Sequence, residues 1–531
     1  MIIKEQIDNN FKYTKLKKYK IIYILLVLNI FFFILGAYLQ RSGELKKIYY
    51  TVLEIPQVVK INSYEIFGLN QLKTLQIDLD FKNKKKLDGI IKDLGEYAVY
   101  SNDDWVDAIL AYDDKQHFIK LRPAGTHNDH RLAFNKQSFR IEIKKDDYVE
   151  GLRKFSLTEL ERRSFYPEWI FQKMLEEEGL ISHKMIVVNL KLNGSVHGIM
   201  LFQEQYDKIL LERNNLTESV IIGIDKDNYF SEINDNKINS YFPYSFKKDY
   251  FKNSDLKITS NKTVSKDDRL SSLKKIALKK LESFRQNKID ASEVFDVQKI
   301  AKIFALRSLL ASAELDWKDI KFYLNPYTNK LEPIGKEISS LLGTKQFMQD
   351  NFVWEKIINK EFGEDDFLKN LFSDRKIYEA YLVELNRVSK KNYIDEFIEK
   401  HGEELNELIS KINKFRKYDF SYDHLKISSS FISNKLNSNN NINAHMDIDD
   451  LKSINNREAI NLIVKAYKHN MISPECISYK NIDYFCTTDQ GNEQKTFLDN
   501  NKLFLKLEFK KKNKQLGDIL DKNMLKFNYH S

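Results

Sequence analysis

The chain has 531 residues, of which 42% are hydrophobic, so it can bury a sizeable core in roughly two or three domains. Its 85 basic and 76 acidic residues give a net charge of +9, but they are interspersed without a long basic block, and nucleic acid is therefore not indicated as a partner. Glycine is scarce, and no GxxxxGKS, GxxxxGKT or GxGxxG sequence is present, which excludes the glycine-rich phosphate-binding loops.

The N-terminus has the pattern of a membrane anchor. Residues 1–20 are rich in lysine and precede a continuous apolar stretch, 21–39, in which Asn29 is the only strongly polar residue. At about 1.5 Å per residue this stretch is roughly 28 Å long, enough to cross the hydrocarbon core of a bilayer. The positive charge on its leading side predicts a cytoplasmic tail, a single transmembrane helix at 21–39 and an extracytoplasmic location for the rest of the chain.

The next part of the chain mixes strand and helix patterns. Apolar residues alternate over 72–81, a lysine-rich helical pattern follows over 82–94, and two further strands are predicted at 108–112 and 117–121. We therefore expect an N-terminal α/β region at 49–114.

Further strands and a helix follow in a regular order. Residues 138–143 alternate as a half-buried strand does, and a helix begins near 158 and ends at Gly179. Two strands, at 185–192 and 198–204, are joined by Asn193 and Gly194, a strong hairpin signal.

The C-terminal half is mostly helical in pattern. Asp296 is a good N-cap for a long apolar helix, and we expect a helical extension at 346–427, a Ser/Asn-rich linker at 428–443 and a small α+β tail at 444–531. The tail contains both cysteines, Cys476 and Cys486. They form either one disulfide or two unpaired thiols, and the sequence leaves both alternatives open.

A candidate catalytic segment lies at 315–339. Asp316, Asp319 and Glu337 bracket two strand-like runs joined by an Asn-Pro turn. A phosphotransferase needs one carboxylate near the attacking hydroxyl and another that holds magnesium, and this pattern supplies both. An ordinary surface hairpin has the same pattern, and a carbohydrate-active enzyme that uses Asp316 and Glu337 as paired carboxylates is a further hypothesis.

Six stretches, taken in order, resemble the CotH-type kinases, a family named for spore coat protein H. The stretches are 121–130, 136–141, 151–157, 168–179, 192–204 and 316–337. The resemblance covers 115–345, the expected CotH kinase-like domain. It implies an α+β, atypical protein-kinase-like fold, with a mixed N-lobe sheet and a helical C-lobe, here behind the transmembrane helix. It also implies transfer of phosphate from ATP, with Mg²⁺ or Mn²⁺, to Ser or Thr of envelope or surface proteins.

The resemblance assigns cofactor-binding roles to four residues. Lys136 and Arg140 would contact the phosphates of ATP, Glu168 would pair with Lys136, and Glu204 would lie near the edge of the nucleotide base. The alternatives are surface cations for Lys136 and Arg140, a helix-start charge for Glu168 and an exposed strand-end acid for Glu204.

The same resemblance makes Asp316 the catalytic base and Asp319 and Glu337 the metal ligands. The chain departs from the family at four positions. The family favours Asn at 319, an apolar residue at 336, Asp at 337 and a lysine at 223. This chain has Asp319, Lys336, Glu337 and Gly223 instead. These departures support an alternative function, a weak or inactive pseudokinase that acts as an envelope scaffold or assembly protein.

Overall fold

The computed structural model describes most of the chain between residues 72 and 437 and seven strands beyond it. The described residues are 32, 36, 55, 59, 61, 63, 72–131, 137–144, 147–160, 165–235, 250–312, 317–336, 338, 340, 342, 357, 366–415, 417–437, 442–446, 459–466, 473–479, 482–486, 495–499, 502–511 and 526–530. The chain divides into two compact units. The first comprises Met1–Asp147, Ser156–Glu159 and Val187–Met200, and the second comprises Tyr148–Phe155, Leu160–Ile186 and Leu201–Ser531.

Seven strands close into a barrel in the order β1-β2-β3-β4-β5-β7-β6. They are β1 (Thr74–Asp78), β2 (Val106–Tyr112), β3 (Lys115–Pro123), β4 (Phe139–Ile143), β5 (Lys154–Glu159), β6 (Met185–Leu192) and β7 (Ser195–Glu204). Side chains alternate between the two faces of a strand, and β4 accordingly buries Phe139, Ile141 and Ile143. The parallel pairing of β1 with β6 closes the barrel.

This barrel corrects the predicted fold class. A kinase-like fold with a mixed N-lobe sheet behind a transmembrane helix is wrong for this chain, because the sheet has no open edge on the side of β1. Residues 74–77 of β1 pair with residues 189–192 of β6 on one side. On its other side β1 pairs with β2. A strand with partners on both sides leaves no free edge there.

The predicted membrane anchor is corrected as well. In the described part of the chain, no helix is both long enough and apolar enough to cross a bilayer. This finding contradicts the single-pass topology and the extracytoplasmic location that was inferred from it. Of the stretch 21–39 itself, only Phe32 and Gly36 belong to the described residues.

The second unit contains a four-stranded sheet in the order β11-β10-β8-β9. Its strands are β8 (Ile221–Ile224), β9 (Leu256–Ile258), β10 (Lys321–Leu324) and β11 (Leu331–Ile334). The antiparallel pair β10 and β11 confirms the two strands predicted within 315–339. The turn between them is held by Asn325, whose side-chain oxygen accepts hydrogen bonds from the backbone N–H groups of Tyr327 and Thr328.

The second unit also contains most of the helices in the described part of the chain. The first helix, α1 (Phe81–Asp93), belongs to the first unit. The others are α2 (Phe165–Glu177), α3 (Lys208–Arg213), α4 (Asp227–Asp235), α5 (Tyr250–Asn253), α6 (Asn261–Val264), α7 (Asp268–Arg285), α8 (Ala291–Val294), α9 (Val297–Leu309), α10 (Asp366–Ser373), α11 (Arg375–Val388), α12 (Lys391–Asn413) and α13 (Asp423–Asn437). Asp296 caps α9 as predicted, since its carboxylate accepts the backbone N–H of Lys299.

The last helix occupies most of the tract in which the sequence predicts a linker. Ser428 and Ser429 of α13 are buried, and their hydroxyls donate to the carbonyls of Leu309 and Ser389. Beyond α13 the described residues form a sheet in the order β12-β13-β17-β15-β14-β18, with β16 beside β17. Its strands are β12 (Ile442–Met446), β13 (Ala459–Ala466), β14 (Ser473–Tyr479), β15 (Ile482–Cys486), β16 (Lys495–Asp499), β17 (Lys502–Lys511) and β18 (Lys526–His530).

Candidate functional site

The seven residues to which the sequence assigns a role fall into two groups. Three lie outside the described residues, namely Lys136, Asp316 and Glu337. Four are described, namely Arg140 in the first unit and Glu168, Glu204 and Asp319 in the second.

Arg140 lies in an arginine-rich part of the first unit. Its position on β4 is opposite Arg122 on β3, and the guanidinium of Arg122 lies 4.3 Å from the centre of the Tyr100 ring. Burial raises the pKa of the Tyr100 hydroxyl, and the positive charges of Arg131, Arg122 and Arg140 oppose this rise. Three guanidinium groups therefore act on one hydroxyl, which gives this region the positive potential that an anion requires.

Glu168 is a buried carboxylate in the first turn of α2, with 1% of its surface exposed. Its Oε1 accepts hydrogen bonds from the side-chain amides of Gln172, at 3.0 Å, and Gln203, at 3.2 Å. Its Oε2 accepts the backbone N–H of Ile338 at 2.7 Å. One carboxylate thus joins α2 to the end of β7 and to the chain that follows β11.

Gln172 fixes the same segment at a second point. One turn of helix separates it from Glu168, so both side chains lie on one face of α2. Its amide donates to the Gly335 carbonyl at 3.1 Å, and its oxygen accepts the backbone N–H of His183 at 2.6 Å. A Cβ atom at Gly335 would lie 2.2 Å from Cδ1 of Leu175, so the chain passes close to α2 and a larger residue would require Leu175 to move. Both ends of the segment 335–338 are therefore held by α2.

Glu204, the last residue of β7, is buried and not an exposed strand-end acid. Its Oε2 accepts the backbone N–H of Lys184 at 2.9 Å and forms an ion pair with Arg213 at 2.8 Å. Its Oε1 is buried without a hydrogen-bond partner in the structure. The carboxylate is thus oriented by α3 and by the start of β6.

Lys336 lies at the centre of this group. Only 1% of its surface is exposed, and its ammonium donates to the backbone carbonyl of Glu204 at 3.1 Å. The same ammonium lies 4.9 Å from the centre of the Tyr206 ring, within range of a cation–π interaction. The carbonyl of Lys336 accepts a hydrogen bond from the buried guanidinium of Arg307 at 3.0 Å. The side chain and the backbone of Lys336 are therefore both fixed by the protein.

Asp319, the predicted metal ligand, forms an ion pair in which its Oδ1 lies 2.7 Å from the ammonium of Lys226. Both side chains are largely shielded from solvent, with 12% and 29% of their surfaces exposed. A metal ion at Asp319 would have to displace or share this ammonium. The described residues contain no group of three His, Cys, Asp or Glu side chains that could hold a metal ion.

The position at which the resemblance predicts a lysine is covered by a lysine of the neighbouring strand. Gly223 on β8 pairs with Lys321 on β10, and a Cβ atom at Gly223 would lie 3.2 Å from Cγ of Lys321. The ammonium of Lys321 lies 4.2 Å from the centre of the Tyr206 ring. Tyr206 is therefore near two ammonium groups, those of Lys321 and Lys336.

The structure thus brings Glu168, Glu204 and the segment 335–338 together, and it places Asp319 in an ion pair of its own. Sequence reasoning missed the polar residues that join them, which are Gln172, Gln203, Tyr206 and Arg307. The spacing of Glu168 and Gln172 was a usable signal, because residues four apart share one face of a helix. The contacts of Gln203 and Arg307 bridge distant segments, so no local pattern in the sequence indicates them.

Comparison with known proteins adds no family assignment. No protein-family model matches the chain, and no curated protein matches it significantly. The resemblance to the CotH-type kinases therefore stays a prediction. A functional hypothesis has to depend on the chemistry of the described residues.

Proposed function

We propose that this chain is a non-catalytic protein, which acts by binding and assembling other proteins. The observation that carries the proposal is the buried ammonium of Lys336 on the carbonyl of Glu204. Glu204 is the residue at which the edge of a nucleotide base was expected. Two further observations support the proposal, and they concern the metal ligand and the segment 335–338.

The first argument concerns the nucleotide base. A base that bound at Glu204 would compete with Lys336 for the backbone carbonyl. A hydrogen bond to a charged group contributes about 1.5–3 kcal/mol, and a buried ammonium that loses its acceptor is costly. This corresponds to a roughly 10- to 150-fold weaker affinity for the base. Lys336 therefore opposes nucleotide binding at this edge.

The second argument concerns the metal ion. Phosphoryl transfer from ATP depends on cations that bridge its phosphates. The charge of Asp319 is already balanced by Lys226 at 2.7 Å. A divalent ion would gain less from a carboxylate that is neutralised in this way, because it must first displace the ammonium. This disfavours Asp319 as a metal ligand.

The third argument concerns rigidity. Glu168 and Gln172 hold the segment 335–338 through three hydrogen bonds, to Ile338, Gly335 and each other. Gly335, Lys336 and Ile338 are buried, and a framework that is held in this way suits a protein that presents a stable surface to its partners.

The proposal is tested with the full chain, ATP and either Mg²⁺ or Mn²⁺. We expect no ATP-dependent rise in melting temperature, whereas a ligand at a hundred times its Kd stabilises its protein by about 2.7 kcal/mol. We also expect the parent chain and Asp316→Ala to transfer equally little labelled phosphate to protein substrates. Transfer by the parent that Asp316→Ala abolishes would overturn the proposal in favour of a protein kinase.

A substitution at Lys336 tests the observation itself. Lys336→Met removes the ammonium and keeps a long apolar side chain, so ATP should bind more tightly to this variant than to the parent. Lys279→Met, which changes an exposed lysine of α7, is the matched control and should change nothing. A cellular test is complementary. If deletion of the gene causes a phenotype, expression of the Asp316→Ala variant should reverse it to the same extent as expression of the parent chain.

A further inference from the structure

The two cysteines of the chain lie directly opposite each other in the C-terminal sheet. Cys476 on β14 and Cys486 on β15 are register partners in an antiparallel pair. The sequence contains these two cysteines only. Their pairing in register is therefore not one choice among many thiols, and of the two alternatives that the sequence leaves open it favours the disulfide.

The geometry of an antiparallel pair suits a disulfide. Directly opposed residues have Cα atoms about 4.5–5.5 Å apart and share one face of the sheet. A disulfide needs a Cα–Cα distance of about 4.4–6.8 Å. The register shift between β14 and β15 begins after Ile477, so it does not separate Cys476 from Cys486.

The two cysteines are also close to each other in the sequence. The strands β14 and β15 follow each other directly, with residue 479 paired to residue 482. The hairpin brings the cysteines together through local contacts, and a pair of neighbouring strands forms before long-range contacts are made. The sheet thus presents the pair without a rearrangement of the rest of the chain.

Both cysteines lie on inner strands of the sheet. Cys486 on β15 has Lys510 of β17 as its register partner on the other side. Cys476 on β14 has Asn528 of β18 as its register partner on the other side. The strands of the cysteine pair are therefore held by partners on both sides.

We propose that Cys476 and Cys486 form an intramolecular disulfide that links β14 to β15 under oxidising conditions. The oxidant is a small-molecule disulfide such as oxidised glutathione. The thiolate of one cysteine attacks it, forms a mixed disulfide and releases one glutathione thiolate. The thiolate of the other cysteine then attacks the cysteine sulfur of the mixed disulfide, forms the Cys476–Cys486 bond and releases the second glutathione. Two cysteines are oxidised, one glutathione disulfide is reduced to two thiols, and the two cysteine protons pass to solvent or to the released thiolates.

The test uses the full chain, reduced and then exposed to oxidised glutathione. After an acid quench, the protein is denatured and treated with a maleimide that adds a large mass to each free thiol. We expect two adducts on the reduced chain, none on the oxidised chain, and a non-reduced peptide map in which the peptides that contain 476 and 486 are joined. Cys476→Ser and Cys486→Ser should each retain a stable glutathione adduct, because the second attack is no longer available.

Two results would overturn the proposal. One is an oxidised parent chain that keeps two free thiols or carries two glutathione adducts. The other is a disulfide between two copies of the chain in place of one within it. The peptide map of the parent decides the matter even if a serine variant fails to fold. The double variant Cys476→Ser/Cys486→Ser controls for the chemistry, since it should show neither adducts nor a joined peptide.

Discussion

The buried carboxylate of Glu168 gives the sharpest test of the site geometry. Glu168→Gln keeps the size of the side chain but replaces one of its two acceptor oxygens by a donor amide. The native carboxylate accepts from the amides of Gln172 and Gln203 and from the backbone N–H of Ile338. The one remaining acceptor oxygen cannot accept both from the two glutamine amides and from the backbone N–H of Ile338, so at least one buried donor loses its acceptor.

The cost of that loss sets the expected magnitude. A buried donor left without an acceptor costs about 1–3 kcal/mol. If the affected donor is Ile338, its amide hydrogen should exchange with solvent roughly 5- to 150-fold faster through local opening. Hydrogen exchange read by mass spectrometry on a peptide that spans 336–342 measures this directly, and chemical denaturation measures the accompanying loss in free energy of unfolding.

A second glutamate on the same helix supplies the control. Glu176 of α2 is 42% exposed and lies 3.7 Å from the ammonium of Lys173, so its pairing contributes little. Glu176→Gln should leave both exchange and stability nearly unchanged. Equal exchange and equal stability in the two variants would refute the inference that Glu168 holds the segment 335–338.

Three further predictions concern stability. Burial lowers the pKa of His197 to about 4, so the contribution of the neutral imidazole to the free energy of unfolding is complete above about pH 6.5 and is lost as the pH falls toward 4. In His197→Gln the free energy of unfolding should change less with pH over that window, as measured by denaturation at several pH values. Burial acts to raise the pKa of Glu178, but hydrogen bonds from Arg387 and a lysine outweigh this effect, so the pKa lies below its ordinary value. The ionised carboxylate therefore stabilises the fold above its ordinary pKa, and this contribution is lost as the pH falls through the lowered value. Glu178→Gln should reduce the free energy of unfolding at neutral pH and make it depend less on pH in the acid range. Gly335→Ala should destabilise the chain by about 1–3 kcal/mol in thermal or urea unfolding, because the new methyl overlaps Leu175. The same substitution should cost less when it is made in a Leu175→Ala chain, which a double-mutant cycle measures.

Local features of this chain were predictable because their causes are local. The Asn193 and Gly194 hairpin joins β6 and β7 as expected, and both residues have the positive φ angles, 48° and 76°, that such a turn requires. The Asp296 cap and the strand pair β10 and β11 were predicted for similar reasons. Each depends on residues within a few positions of each other.

The barrel and the buried polar network have causes that a sequence pattern does not carry. Residues 74–77 alternate in the same way whether their partner is β2 alone or β2 and β6, so the pattern cannot predict closure. The serine-rich tract that begins at 428 is typical of a linker, yet Ser428 and Ser429 are buried, and their hydroxyls donate to carbonyls that are distant in the sequence. Most partners of Glu168, Glu204 and Lys336 likewise lie far away in the sequence, so no local pattern indicates that these charged residues are buried.

Lys336 shows how such a departure changes the chemistry of a site. An ammonium is expensive to remove from water, so its burial requires acceptors and rings that are already in position, and the Glu204 carbonyl and the Tyr206 ring supply them. A phosphotransfer site has the opposite requirement, because its acceptors and carboxylates must be available to a nucleotide and a metal ion. The Glu204 carbonyl and the Asp319 carboxylate are instead bound by lysines of the chain itself. Because the same groups cannot meet both requirements at once, the internal lysines support the proposed non-catalytic function.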